Sequence, residues 1–176
     1  MISKLRPALL LAAAMAVPAP LAAKDSLGVF SSWAAFRDNG ASPRCYAIAR
    51  PEPAGAQALR ARDYEPYASV GTWPGRQVRG QLHFRLSREL AKGSRVSLSV
   101  GGRSFMLSGG GGDAWAHDPA MDAAIVAAMR SAQSMSLSAM ANGGRRFTDR
   151  YRLEGAATAM DAATLGCAPA ALRRKR

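Results

Sequence analysis

The chain has 176 residues, 48% hydrophobic and 20% charged, with 24 Lys and Arg against 12 Asp and Glu and a formal charge of +12. That size holds one domain with a real core rather than two. No stretch reaches the ~20 apolar residues of a transmembrane helix, and the charge predicts non-specific attraction to anionic surfaces.

In chain order, Lys4 and Arg6 precede an apolar run from Ala8 to Val17, then PAPLAA and a polar KDS. This is the pattern of a secretory signal peptide over residues 1–23, cleaved after Ala23 or Ala22. Removing Lys4 and Arg6 leaves a mature chain of charge +10. No cysteine stands at the cleavage point, so a lipid anchor is not expected. Residues 24–168 are expected to form the single domain and 169–176 a loose basic tail. Export delivers the only two cysteines to an oxidising compartment; with no C-x-x-C present, Cys45 is expected to pair with Cys167.

Most segments alternate with the period of a strand. Val29 to Phe36 and Cys45 to Ala49 read as the first two strands, joined by DNGASP, with Trp33 and Tyr46 supplying apolar area. PEPAGAQALRAR, residues 51–62, reads as a loop or at most one helical turn. In VRGQLHFRL, Val78, Leu82, Phe84 and Leu86 share one side, and Arg79, Gln81, His83 and Arg85 the other. RVSLSVGGRSFML predicts a hairpin turning at Gly101-Gly102, with Leu98 facing Phe105 and Val96 facing Leu107. SMSLSAMANGGRRFTDRYRL predicts a second, whose three-residue loop Asn142-Gly143-Gly144 sets Ala139 against Phe147 and Met135 against Tyr151. That register puts Asp149 on the apolar phase opposite Leu137, where a carboxylate needs a backbone or arginine partner.

Two helices are expected. DPAMDAAIVAAMRSA has Asp118 as N-cap, Pro119 at the first position, and Met121, Ile125, Ala128 and Met129 on one stripe. ATAMDAATLGC is short and delivers Cys167 at its C-terminus.

Signatures of chemistry are sparse. A cysteine nucleophile would need a basic partner, and the two histidines, His83 and His117, sit on a polar strand phase and beside a helix N-cap. The cysteines and histidines show no metal-ligand spacing, and no cofactor is expected. SGGGGDAW lacks the Gly-Lys-Ser/Thr of a phosphate loop and reads as a connector from hairpin to helix. Arg79, Arg85, Arg95, Arg150 and Arg152 are the candidate polyanion-binding patch. Nucleic acid is not the expected partner, because the basic segments carry few exposed aromatics.

With SSWAAF followed by RCYAIA, then YASVGTWPGRQVRGQLHF, AAIVAAMRSA and TDRYRLEGAATAMDAATLGC in that order, the chain resembles the invasion-associated locus B family of exported bacterial proteins. The resemblance covers most of the mature chain. It implies a mainly β fold, an antiparallel immunoglobulin-like β-sandwich with one packed helix and a short C-terminal helix, in a periplasmic or secreted protein. It also places Asp149, Tyr151, Leu153 and Gly155 in a closing pattern that makes Asp149 a structural, buried carboxylate. It supplies no catalytic residue, and its link to host-cell invasion belongs to another member of the family. The expected function is a non-enzymatic binding module of the bacterial envelope, whose partner is a protein or an anionic envelope component. The rival expectation is a secreted hydrolase using His83, His117 and Asp149.

Overall fold

The computed structural model describes residues 24–53, 55 and 62–169. The expected signal peptide, most of the 51–62 loop and nearly all of the basic tail lie outside these residues. Ten strands and two helices follow in order: β1 Lys24–Phe30, β2 Trp33–Asp38, β3 Arg44–Ala49, β4 Tyr67–Trp73, β5 Val78–Arg85, β6 Val96–Val100, β7 Arg103–Gly110, β8 Asp113–Trp115, α1 Pro119–Ser131, β9 Ser134–Met140, β10 Arg146–Arg152 and α2 Ala156–Gly166. No helix among them is long and apolar enough to cross a membrane.

The first expected strand is a hairpin instead. Phe30 pairs with Trp33 across a turn at Ser31-Ser32, where Ser31 takes a φ of 51°. Two serines carry no Gly, Pro or Asn turn signal, so the apolar residues on either side read as one run. The two later hairpins close in the expected registers: Leu98 faces Phe105, Ala139 faces Phe147 and Asp149 faces Leu137.

The strands form one open antiparallel sheet in the order β1-β2-β3-β4-β5-β8-β7-β6-β9-β10, in place of the two sheets of an immunoglobulin-like sandwich. The difference comes from the glycine run. It is no mere connector: β7 continues through Ser108 to Gly110, the chain turns, and β8 pairs with β5 on one side and β7 on the other. Three residues thus join the two halves of the sheet.

The sheet doubles over its own core. Phe84 in β5 and Tyr151 in β10 are five strands apart, about 24 Å along a flat sheet at ~4.8 Å per strand. Their ring centroids lie 6.4 Å apart. At the closing edge Glu52 N–H donates to the Arg150 carbonyl at 2.7 Å, and the Trp33 indole N–H to the Arg152 carbonyl at 2.9 Å. These bonds occupy part of the edge that β10 would otherwise present to another strand.

α1 starts as its sequence dictates, with the Asp118 carboxylate accepting from Met121 N–H at 2.7 Å. Ile125, Ala128 and Met129 are buried, and Met121 half-buried. Asp122, on the same helix, accepts from Leu82 N–H at 2.8 Å and ties α1 to β5. α2 packs across β1, β2 and β3. Its C-cap, Cys167, is disulfide-bonded to Cys45 in β3, with Cα atoms 5.7 Å apart.

Candidate functional site

The five arginines of the expected patch are divided among three places. Arg79 leaves the face of His83 and Arg85 because of a bulge: Gly71 faces Gln81 and Trp73 faces Val78, so Thr72 stands opposite two residues, Arg79 and Gly80. Gly80 takes a φ of 66° there, a conformation glycine adopts without strain. Arg79 accordingly lines a depression with Arg130 of α1 and Thr164 of α2. Strand periodicity could not show this, because the extra residue resets the alternation. Arg85 is held by Asp113, Nη1 to Oδ2 at 2.5 Å, and lies 3.9 Å over the Tyr64 ring.

Arg150 and Arg152 do share a face, the outer side of β7, β6, β9 and β10, and Arg95 precedes β6 in phase with Ser97 and Ser99. Cross-strand partners share a face. The register therefore builds one row Thr148–Ser138–Ser97–Met106 and a second Arg150–Ser136–Ser99–Ser104. Thr148 and Ser138 hydroxyls hydrogen-bond at 2.9 Å. Arg146 and Arg152 extend the β10 margin beside Met140 and Ser134. Apart from the exposed Met106 at the β7 margin, the floor is thus small hydroxyls, with guanidiniums rising along one side. At one end it dips into a cavity of about 330 Å³ lined by Ser99, Ser134, Ser136, Gln133 and the Gly101-Gly102 turn. Arg152 is paired with Glu52 at 2.8 Å, whereas Arg95, Arg146 and Arg150 make no ion pair among the described residues.

The other half of the sheet carries an aromatic outer face that periodicity missed. His83 Nε2 is 2.9 Å from Asp113 Oδ1, Trp115 stacks on the His83 ring at 5.3 Å and 16°, and Tyr67 meets it edge-on at 5.4 Å. Tyr46 and Trp73 complete a depression of about 350 Å³. The rings come from four strands, β3, β4, β5 and β8. Each lies in phase on its own strand, but only the strand order makes them neighbours.

The three residues of the expected hydrolase centre make no hydrogen bond with one another among the described residues. His83 bonds Asp113 on this outer face, and His117 Nδ1 is 2.6 Å from Ser108 Oγ at the β7–β8 hairpin. Asp149 is in the core, 5% exposed, accepting from Ser87 N–H at 2.9 Å. It has the backbone partner its register demands and faces neither histidine. Among the described residues no three His, Cys, Asp or Glu side chains gather to hold a metal ion.

Burial pushes the Asp149 carboxyl above its ordinary range, opposed by the Ser87 hydrogen bonds and the Arg62 charge. Folded Asp149 therefore keeps a proton that the unfolded chain has lost, and its contribution falls as pH rises from ~4 through the raised value. Asp149→Asn keeps an acceptor for Ser87 and has no charge to desolvate. Its stability relative to wild type is expected to rise between pH 4 and pH 7, read by urea unfolding at both; a constant difference would show the carboxylate to be fully compensated.

A protein-family model described as Invasion associated locus B (IalB) protein matches residues 35–164, from within β2 to near the end of α2. Comparison with curated proteins and with solved structures gave no match. The matched stretch takes in the bridging strand β8, the buried Asp149 and both outer faces, most of the chain, and on that match the protein belongs to the invasion-associated locus B family.

Proposed function

We propose that the protein is an exported, non-enzymatic binding module of the bacterial envelope, and that it holds an anionic envelope component on the outer face of β6, β9 and β10. The observation that carries this is the hydroxyl floor beside Arg146 and Arg150, which make no ion pair among the described residues, with its polar cavity of about 330 Å³. Serine side chains are short enough to let a phosphate, sulfate or carboxylate come close to the sheet and donate hydrogen bonds to it. Arginine supplies the charge and a planar fork that fits such groups. The charge of +10 left after removal of Lys4 and Arg6 adds long-range attraction. Lys4, Arg6 and the apolar run after them support export, and family membership accords with an invasion-associated setting.

The test is elution from a sulfated-polysaccharide resin over a salt gradient. Wild type should be retained, and the triple variant Arg95→Gln, Arg146→Gln, Arg150→Gln should elute at clearly lower salt. The salt dependence of its affinity should fall by about one unit of slope per contacting arginine lost. Arg79→Gln, on the α1 side, should elute with wild type. Equal elution of the triple variant and wild type would remove the basis of the reading.

A further inference from the structure

The aromatic depression on the other half of the sheet is not explained by polyanion binding. Among the described residues its lining carries two basic side chains, Lys24 and Arg44, and Arg44 is already committed to Asp38 at 2.7 Å. We infer that this depression is a second binding site, for a sugar ring of a neutral saccharide, with Trp73 and Trp115 as its stacking surfaces.

Both indoles are fixed before any ligand arrives. Trp115 is stacked on His83, which is itself held at Nε2 by Asp113 and edge-on by Tyr67, yet Trp115 remains 38% exposed. Trp73 lies down across its own strand. A Cβ at Gly71 would collide with the Trp73 six-membered ring, so the glycine is what allows the ring to rest on the sheet. Large rings immobilised in this way lose little entropy on binding, which is the advantage of a preorganised site.

A pyranose has the matching duality. Its axial C–H groups make an apolar face that lies on an indole, and its hydroxyls radiate from the edge and need both donors and acceptors. The depression supplies both around its rings. Gln81 offers two donors and an acceptor, Tyr46 a hydroxyl, and neither side chain makes a hydrogen bond among the described residues. The Ser69 hydroxyl donates to the His83 carbonyl and keeps acceptor capacity. A wholly apolar ligand would leave these groups unpaired, and an anion would find Lys24 as the one basic side chain without an ion pair among the described residues. A cavity of about 350 Å³ is at the small end for ligand sites and suits one or two sugar rings.

The test uses tryptophan fluorescence, with oligomers of glucose and of N-acetylglucosamine, in both α- and β-linked forms, as probes. Of the three tryptophans, Trp33 is buried in the core at 1% exposure, so a ligand-dependent signal reports on Trp73 and Trp115. A saturable change is expected with at least one oligomer series. Its affinity should fall about tenfold or more in Trp115→Ala and in Gln81→Ala, with Trp115→Phe between them and wild type. Retention on sulfated resin should be unchanged in all three variants, which separates this site from the polyanion face. No saturable change with any series at millimolar concentration, or equal affinity in wild type and Trp115→Ala, would overturn the inference.

Discussion

Replacing both Cys45 and Cys167 by alanine is expected to lower folding stability by about 4 to 5 kcal/mol, because the bridge spans a sequence separation of 122 residues. In the chain-entropy account the crosslink acts on the unfolded ensemble, removing conformations that a loop of this length would otherwise explore. Its place in the fold makes the effect global. Cys45 is fully buried in β3, and Cys167 ends the helix that covers β1, β2 and β3, so the bond pins the last element of the fold to one of the first. The Arg37 guanidinium, beside Cys45 in the β2–β3 register, donates to the Gly166 carbonyl at 3.5 Å and adds a weaker tie at the same point. A domain stable by ~5–15 kcal/mol loses a large share of its margin. Urea unfolding of the double variant against oxidised wild type checks this. A midpoint shift worth under about 1 kcal/mol would mean that α2 docks without the bond.

Trp33→Ala is expected to cost about 3 to 5 kcal/mol from lost packing alone. Trp33 is among the largest fully buried side chains, 1% exposed, and its indole N–H is one of the bonds that join the start of β2 to the end of β10. Truncation also leaves the Arg152 carbonyl without that donor, which adds roughly 1 to 3 kcal/mol if water does not reach it. Trp33→Phe separates the two effects by keeping most of the ring volume and removing only the donor. It should be clearly milder, and the alanine variant should lower the denaturant midpoint with little change in slope. Equal losses in the two variants would assign the whole effect to the hydrogen bond.

Local order was legible where the sequence repeats a two-residue rhythm around an unmistakable turn. The Gly101-Gly102 and Asn142-Gly143-Gly144 hairpins, the Asp118 cap and the Cys45–Cys167 pairing could all be read from neighbouring residues or from simple counting. Asp149 was legible for the same reason: the register that placed it opposite Leu137 also demanded a partner, and Ser87 N–H meets the demand. What could not be read depends on residues distant in sequence. The bridging role of Asp113 to Trp115 arises only when β5 and β7 flank them, and a strand of three residues has too little pattern to announce itself. The aromatic face has the same origin, since Tyr46, Tyr67, Trp73 and Trp115 meet only through the strand order β3-β4-β5-β8. Arg79 was misplaced by a single extra residue at Gly80, which shows how far one bulge alters a charge map drawn from alternation.

The basic face also fits the protection of an edge strand. Arg146, Arg150 and Arg152 point outward from β10, where charge discourages pairing with other chains. The hydroxyl rows behind them on β9 and β6 serve no such purpose, and it is their presence that favours a ligand. Mapping backbone amide shifts during titration with a sulfated oligosaccharide tests this most directly. Saturable, salt-sensitive changes are expected to concentrate at Ser97, Ser99, Ser134, Ser136, Ser138 and Arg150. Changes centred on α1 and Arg79, or spread evenly over the basic surface, would contradict it.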